Sequence, residues 1–285
     1  MPSRLFQHDV LDQQVAIVTG GGTGIGAAIT RELVAMGARV VIASRRPEHY
    51  ARAAAGLSAE LGVEVVGLPL DIRDRASVDS FVAAVIARFG RIDLLVNNGG
   101  GQFLAPAETI RPKGWDTVIQ TNLTGTWNLT RAVFDAWMGE NGGRVVNITM
   151  LTSRGFPGMA HSVAARAGVE AMSRTLAVEW APRRVLVNCV SPGIILSSGM
   201  RNYPEGAEVA RAMQSEIPLK RLGTVTEVAE LVAFLASPGG AYITGQTLVV
   251  DGGRSLWGNT WPLPDDEDPA PVVIPSEPWE ENEPG

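Results

Sequence analysis

A glycine-rich turn, TGGGTGIG, stands between an apolar segment and a helical pattern near the start of the chain. Its glycines let the backbone turn tightly and approach a diphosphate, whose charge then meets the amide groups at a helix N-terminus. Plain turns use the same residues, but the position between a strand and a helix favours phosphate binding. We therefore predict a dinucleotide-binding turn formed by the following residues: Gly20, Thr23, Gly24, Ile25 and Gly26.

Three residues at the end of the second predicted strand indicate which dinucleotide is bound. An acidic side chain there would hold the ribose 2′-hydroxyl of NAD(H), whereas a cation would accept the 2′-phosphate of NADP(H). The segment carries Ser44, Arg45 and Arg46 and no carboxylate. Because a guanidinium makes paired, charge-assisted hydrogen bonds to phosphate, we predict NADP(H) as the cofactor. The alternative is that both arginines are solvated residues at the start of a helix.

Short β-branched segments alternate with helical patterns as far as about Asp251, and these elements must position the turn. The predicted strands are QVAIVTG, RVVIAS, VEVVGLPL, IDLLVNN, GRVVNIT, RVLVNCVSP and QTLVVDGG. Predicted helices cover GIGAAITRELVAMG, ASVDSFVAAVIARFG and residues near 47–61, 115–138, 162–180 and 226–236. Continuous apolar strands separated by helices indicate a parallel sheet covered on both faces. We predict an α/β fold, a doubly wound parallel sheet of the Rossmann type, in a single domain over residues 1–258.

The segment from residue 259 to residue 285 differs from the rest in composition. It holds eight acidic residues and no Lys or Arg, so the net charge of −6 is concentrated there and the preceding residues sum to +2. Its content of Pro and acid is typical of a solvated, poorly ordered tail. The large apolar rings of Trp257, Trp261 and Trp279 favour the alternative, a tail that docks over the substrate cleft or a neighbouring subunit.

The bulk composition excludes several classes of function. A nearly neutral body gives no indication of nucleic-acid binding, and no apolar stretch is long enough to span a membrane. The first residues contain no apolar run that resembles a signal peptide. The single cysteine, Cys189, cannot form an internal disulfide, and no Cys/His cluster has the spacing of a metal site. We expect a cytoplasmic protein without metal, in which Cys189 is a buried small hydrophobe.

Several motifs together resemble the short-chain dehydrogenase/reductase family, over about residues 14–253. They are the glycine turn, NNGG at 97–100, TNLTG around Asn122, and SPGIILS at 191–197. The resemblance implies that Asp71 contacts the adenine and that Asn122 binds water and braces the active-site backbone. The alternative for Asn122 is a buried side chain that only satisfies a helix kink. Further cofactor contacts are implied for Asn98, Gly99, Gly100, Arg166, Pro192, Gly193, Ile195 and Ser197.

The expected catalytic positions depart from that family. Most members use a Ser, a Tyr and, four residues after the Tyr, a Lys. Matching GFPGMAHSVAARAGVE to the family pattern puts Thr149, Ser162 and Arg166 at these positions, and no Tyr-x-x-x-Lys occurs anywhere in the chain. A narrower resemblance, carried by NNGGGQFLAPAE, KGW, GFPGMAHSVAARAGV and ITGQTLVVDGGRSL, is to the family's peroxisomal trans-2-enoyl-CoA reductases, which also have Ser and Arg there.

This resemblance implies NADPH-dependent reduction of the C2=C3 double bond of a trans-2-enoyl thioester, with CoA as the expected carrier. Negative charge then develops on the thioester oxygen, and the hydroxyls of Thr149 and Ser162 could donate hydrogen bonds to it. Arg166 is too basic to shuttle protons but could hold the ribose hydroxyls. Ser162 could instead be only a helix N-cap. His161 is a possible proton source.

Other interpretations stay open at this point. A 2,4-dienoyl-CoA reductase or a 3-oxoacyl reductase of the same family is the enzymatic alternative, and a catalytically silent NADP(H)-binding scaffold or sensor is the alternative of another class. We expect the substrate cleft to be lined by Phe156, Pro157, Met159 and the segment 200–217. The resemblance also implies a homo-oligomer, most commonly a homotetramer.

Overall fold

A parallel sheet of seven strands forms the centre of the molecule, as predicted. The structure is a computed structural model, and it describes residues 9–198, 212–258, 261–264 and 272. The strands follow the order β3-β2-β1-β4-β5-β6-β9. Their bounds are β1 Val15–Thr19, β2 Arg39–Ser44, β3 Val66–Pro69, β4 Leu94–Asn97, β5 Gly143–Ile148, β6 Val185–Pro192 and β9 Thr247–Val250. The strand order reverses between β1 and β4, which is where ligands bind in sheets of this type.

The helices lie on both faces of the sheet. They are α1 Gly24–Ala35, α2 Ala53–Leu61, α3 Arg75–Phe89, α4 Pro112–Ile119, α5 Gly125–Val133, α6 Gly139–Asn141, α7 Ala160–Trp180 and α8 Val225–Ala236. One apolar layer joins the sheet to α1, α2 and α8, and a second joins it to α3, α5 and α7. Every residue of β1 is buried because both of its faces are covered.

The helix predicted near 115–138 is interrupted by two π-helical turns. Gln120–Thr124 separates α4 from α5, and Phe134–Met138 follows α5. Each π turn inserts an extra residue into the helix, and such turns often mark functional sites. Asn122 lies in the first of them and is completely buried. The interruption therefore turns a polar side chain toward the interior at the edge of the sheet.

One element was not predicted from the sequence. A small second sheet pairs β7 Ile195–Leu196 with β8 Gly223–Thr224.

Of the predicted tail, only residues 261–264 and 272 are described, and Trp279 lies outside the described residues. In the described part, Trp257 Nε1 donates to the carbonyl of Trp261 at 3.0 Å, and Val272 packs against the small cluster around Ile217. No helix among the described residues is long and apolar enough to cross a membrane.

Candidate active site

The predicted phosphate turn has the geometry that a diphosphate needs. Gly20 and Gly24 have positive φ angles of 63° and 51°, and a Cβ built on Gly26 would overlap the carbonyl oxygen of Gly20. Thr23 is the N-cap of α1, but its side chain makes no capping hydrogen bond, and the first turn has no acidic residue. The first amides of α1 thus have no side-chain cap and can donate to an anion.

The turn is held against the end of β4 by polar contacts. Asn98 Nδ2 donates to the carbonyl oxygens of Thr19 and Gly20 at 2.9 and 3.3 Å. Thr19 Oγ1 accepts from the amides of Asn98 and Gly99 at 3.0 and 2.8 Å. Two predicted cofactor residues therefore position the turn. The sequence analysis did not assign Thr19, although a threonine between an apolar strand and a glycine turn could have indicated this role.

The loop after β6 lies beside the same turn. A Cβ built on Gly24 would come within 3.6 Å of Ser197 Cβ. Ile195, in the short strand β7, is buried and pairs with Gly223, while Pro192 ends β6 and Gly193 follows it against Asp251. The structure therefore brings this segment and the glycine turn together, as expected for two walls of one cofactor cleft.

Cations gather at the ends of β2 and β3. Arg45 and Arg46 are exposed, and Arg46 lies 4.0 Å from Glu48. Arg73, which the sequence analysis missed, makes a 2.6 Å ion pair with Asp71. Its hydrogen bonds lower the pKa of Asp71, with a smaller contribution from the charge of Arg45. Asp71 is thus charged and already paired, and the arginines give this end of the cleft a positive character.

Ser162 is completely buried in the first turn of α7, and its Oγ donates to Gln102 Oε1 at 2.8 Å. The N-cap of α7 is Met159, so the alternative that Ser162 is only a helix cap is wrong. Gln102 comes from the exposed loop after β4, sixty residues away in sequence. The hydroxyl is therefore covered by a side chain at the mouth of the cleft, a contact that no local spacing indicated.

His161 is buried beside Ser162. Its Nδ1 accepts from the Ser162 amide at 2.7 Å, and its ring packs edge-on against Phe103 with centroids 4.3 Å apart. Its Nε2 is buried and has no hydrogen-bond partner among the described residues. An imidazole nitrogen without a partner next to Ser162 keeps His161 a candidate proton source.

Arg166 lies one helical turn beyond Ser162, with only 8% of its surface exposed. Its Nη1 donates to the carbonyl of Ile148 at 2.8 Å, and a Cβ built on Gly100 would overlap its Nη2. Burial lowers the pKa of this guanidinium to about 10, and no carboxylate in the described part of the chain lies within ion-pair distance. Arg166 is thus a buried cation beneath Gly100 with N–H donors to spare. It fits a ligand whose hydroxyl groups can accept hydrogen bonds.

Asn122 braces the loop above this guanidinium. Its Oδ1 accepts from the Gly101 amide at 2.9 Å, and its Nδ2 donates to the Gly101 carbonyl at 3.0 Å. Both polar atoms of the side chain are therefore used in holding Gly100 and Gly101 over Arg166. These contacts are of the kind that a bracing role requires, and the role of Asn122 in bracing and in binding water stays a prediction.

Thr149 is directed toward a different partner from the one expected. Its Oγ1 lies 3.1 Å from Glu170 Oε1 and 3.3 Å from the carbonyl of Val190, while Thr152 donates to the other carboxylate oxygen at 2.7 Å. A hydroxyl has one proton to donate, and here it goes to one of these acceptors. At Ser162 a substrate competes with one neutral acceptor on an exposed loop, whereas Thr149 faces a buried carboxylate and a carbonyl, so we favour Ser162 over Thr149 as the donor to substrate. Glu170 was missed by the sequence analysis.

Exposed apolar side chains lie in the loop after β4 and in α4. Phe103, Leu104 and Trp115 are 39%, 50% and 40% exposed, and the amide of Ala105 donates to Gly158 O in the facing loop at 3.0 Å. Phe156 and Pro157 lie in that facing loop, whereas Met159 is buried. Ile217, expected in the cleft, is instead 2% exposed in a separate cluster with Leu222, and residues 200–211 lie outside the described residues.

Comparison with known proteins identifies the family. The family described as Enoyl-(Acyl carrier protein) reductase matches residues 20–255. Peroxisomal 2,4-dienoyl-CoA reductase of Danio rerio is 40% identical over 259 residues, 89% of this chain and 85% of that protein. A probable 2,4-dienoyl-CoA reductase of Bacillus subtilis is 34% identical over 258 residues, 89% of this chain and all of that protein. The 3-oxoacyl-[acyl-carrier-protein] reductase FabG of Escherichia coli is 38% identical over 244 residues, 85% of this chain and 98% of that protein.

Solved structures with similar folds lead to the same family. The citronellol catabolism dehydrogenase AtuB of Pseudomonas aeruginosa has a TM-score of 0.78 and 41% identity, with 88% of this chain and 98% of that chain covered. A variant of the actinorhodin polyketide ketoreductase with NADPH has a TM-score of 0.81 and 34% identity, covering 86% and 98%. The expected family resemblance is confirmed: the chain belongs to the short-chain dehydrogenase/reductase family, oxidoreductases that bind a nicotinamide cofactor on a Rossmann-type fold.

Proposed function

We propose that this protein uses NADPH to reduce a carbon–carbon double bond conjugated with the carbonyl group of an acyl-CoA thioester. The observation that carries the proposal is the pair of side chains on the first two turns of α7. A buried serine hydroxyl and a buried guanidinium, Ser162 and Arg166, occupy the positions where most of the family has a Tyr and a Lys.

The residues at the carboxyl edge of the sheet fit NADPH. The uncapped amides of α1 suit the diphosphate, and Arg45 and Arg73 beside Asp71 suit the 2′-phosphate. The spare donors of Arg166 suit the nicotinamide ribose hydroxyls. When bound, NADPH supplies a hydride to the far carbon of the conjugated system.

The two side chains suit reduction of C=C better than reduction of C=O. A ketone needs a proton on its oxygen, and the position where most of the family has a Tyr phenol to deliver it carries Ser162 instead. Reduction of the conjugated bond instead places negative charge on the thioester oxygen, which needs a donor that never ionises. Ser162 can donate to that oxygen once its hydroxyl turns from Gln102, and one such donor contributes about 3 kcal/mol.

Two substrate classes share this chemistry. In a 2,4-dienoyl ester the hydride goes to the δ-carbon, and in a trans-2-enoyl ester it goes to the β-carbon; both yield a charged thioester oxygen and need a proton on carbon. The sequence analysis put the 2-enoyl ester first. The names of the relatives from Danio rerio and Bacillus subtilis favour 2,4-dienoyl-CoA, which we therefore place first, with trans-2-enoyl-CoA second.

A substrate panel tests the reaction. NADPH oxidation is followed by absorbance with 2,4-hexadienoyl-CoA, crotonyl-CoA and acetoacetyl-CoA. We expect oxidation with the dienoyl ester, or with both unsaturated esters. Oxidation with acetoacetyl-CoA alone would show a 3-oxoacyl reductase, and no oxidation with any ester would show a silent NADP(H)-binding protein; either result refutes the proposal.

A pair of hydroxyl variants tests the site. Ser162→Ala removes the proposed oxyanion donor, so we expect kcat to fall about 10²- to 10³-fold with little change in thermal stability. Thr149→Val removes a partner of the buried Glu170 carboxylate, so we expect a lower Tm and a much smaller loss of kcat. A greater loss of kcat in Thr149→Val than in Ser162→Ala would contradict the assignment.

A further inference from the structure

A polar cavity of about 250 Å³ is lined by residues outside the set assigned above to the nicotinamide cofactor and the reacting bond. Its lining residues are Arg154, Gly155, Glu216 and Arg254. Arg154 and Gly155 belong to the loop after β5, and Arg254 to the segment after β9. Both segments leave the carboxyl edge of the sheet, where ligands of this fold bind.

The hydrogen bonds within the cavity do not use every N–H donor of its two arginines. Arg154 Nη1 donates to the carbonyls of Arg254 and Trp257, both at 2.7 Å, which ties the two segments together. Arg254 Nη2 lies 3.2 Å from Glu216 Oε2. Arg254 Nε, however, is buried and has no hydrogen-bond partner among the described residues. A buried N–H without an acceptor is costly, so Arg254 Nε is suited to an acceptor other than the described residues.

The charges favour an anion. Two guanidinium groups face one carboxylate, so these lining side chains carry a net charge of +1. The guanidinium fork matches the oxygens of phosphate with paired, charge-assisted hydrogen bonds. A simple structural ion pair between Arg254 and Glu216 would not require an unused N–H group of Arg254 inside the cavity.

The cavity is also placed to reach the rest of a thioester substrate. Gly155 lies seven residues before Ser162, in the loop that leads into α7. In the sheet, β5 and β9 flank β6, so their axes are separated by roughly 10 Å. The cavity thus lies on the side of the sheet edge toward which a carrier arm bound along the loop before α7 would extend from Ser162.

We propose that this cavity binds a phosphate group of the acyl carrier, with Arg254 as the principal donor and Arg154 as the residue that holds the site together. The inference rests on the proposed function for the choice of carrier, because acyl thioesters are carried on phosphopantetheine. The phosphate is either the pantetheine 4′-phosphate, which CoA and acyl carrier protein share, or the 3′-phosphate of CoA alone.

The test compares thioesters of one acyl group on different carriers. Rates of NADPH oxidation are measured with 2,4-hexadienoyl esters of CoA, 3′-dephospho-CoA, 4′-phosphopantetheine and pantetheine. We expect Arg254→Gln to raise KM for the CoA ester about tenfold, with kcat unchanged and KM for the pantetheine ester within twofold of the parent. A raised KM that persists on dephospho-CoA and phosphopantetheine identifies the 4′-phosphate, and one confined to CoA identifies the 3′-phosphate.

Two further variants separate phosphate binding from loop structure. Glu216→Gln removes the carboxylate that competes for Arg254, so we expect it to lower KM for the CoA ester. Arg88→Gln removes an exposed arginine at the opposite edge of the sheet and should leave KM for the CoA ester unchanged. The inference is overturned if Arg254→Gln raises KM for the CoA and pantetheine esters equally, or if Glu216→Gln raises KM as Arg254→Gln does.

Direct binding keeps this test independent of turnover. Should no ester be reduced, the proposed function fails, and the cavity is then tested by calorimetric titration with CoA and with pantetheine. CoA binding that Arg254→Gln weakens about tenfold supports the cavity assignment, and CoA binding that it leaves unchanged, or no CoA binding at all, overturns it.

Discussion

The buried guanidinium of Arg166 gives the sharpest prediction, because it should cost the free protein stability that NADPH binding recovers. Burial lowers the pKa of Arg166 to about 10. Compared with the pKa of an ordinary exposed guanidinium, this decrease means that burial destabilises the charged form of Arg166 by about 3 kcal/mol. The penalty is fully present at pH 7 and is relieved only as the pH rises above about 10. Its hydrogen bond to the Ile148 carbonyl offsets about 1.5 to 3 kcal/mol.

Arg166→Met removes both the penalty and the hydrogen bond while keeping the volume of the side chain. We therefore expect the free protein to change in stability by about 0 to +1.5 kcal/mol, which is a change in Tm of about 0 to +3 °C. The rise in Tm that saturating NADPH gives the parent should, in contrast, be strongly reduced in Arg166→Met. At about 100 times Kd a ligand contributes about 2.7 kcal/mol, or roughly 5 °C, and we expect most of this shift to be lost.

The assay is thermal denaturation of the parent, Arg166→Met and Arg174→Met, each with and without NADPH. Arg174 is exposed on the same helix, so the control makes the same substitution without removing a buried charge. We expect the control to keep its NADPH shift. A fall of more than about 4 °C in the Tm of free Arg166→Met, together with a full NADPH shift, would show a structural rather than a ligand-directed guanidinium.

Three other changes give separate predictions. Arg45→Asp should weaken NADPH binding about ten- to a hundredfold in a fluorescence titration while Arg88→Asp does not, and unchanged NADPH affinity in Arg45→Asp would sink the NADP(H) assignment. Gly26→Ala should abolish NADPH binding, because the added methyl group overlaps the Gly20 carbonyl oxygen; binding within threefold of the parent would contradict the phosphate turn. The Arg221 hydrogen bonds lower the pKa of Glu227, in the capping box of α8, to about 2, so its stabilisation is present above about pH 4.5 and lost as the pH falls toward 2. Glu227→Gln should lower the free energy of unfolding by about 1 kcal/mol near neutral pH, and its Tm should approach that of the parent over that range; a Tm difference independent of pH would refute the reasoning.

The fold was predictable because its signals are local. Continuous apolar strands with helices between them specify a parallel sheet, and TGGGTGIG between β1 and α1 specifies a phosphate turn from residues that lie next to one another. The missing Tyr and Lys were equally visible, since they depend only on which residues the chain contains. Two residues that the family resemblance assigns to the cofactor, Asn98 and Ser197, also lie beside this turn.

Side-chain partners were not predictable in the same way. Ser162 was assigned two alternative roles, and only the fold shows it covered by Gln102 rather than capping α7. Thr149 was expected to donate to substrate, and only the fold shows that its hydroxyl lies beside Glu170 and the Val190 carbonyl. Periodicity reports which face of an element is buried, but it carries no information on which distant residue meets that face.

For this protein, then, the sequence by itself determined the sheet, the phosphate turn and the absence of a Tyr/Lys pair, because each depends on neighbouring residues or on composition. Only the tertiary structure decided that Arg166 is desolvated beneath Gly100 and that Arg154 and Arg254 share one cavity. Arg154 and Arg254 are a hundred residues apart in the chain, and the loops that carry them meet only because β5, β6 and β9 are neighbours in the sheet. Such proximity follows from long-range packing, which fixes burial and charge at a site where the chain alone shows only residue types.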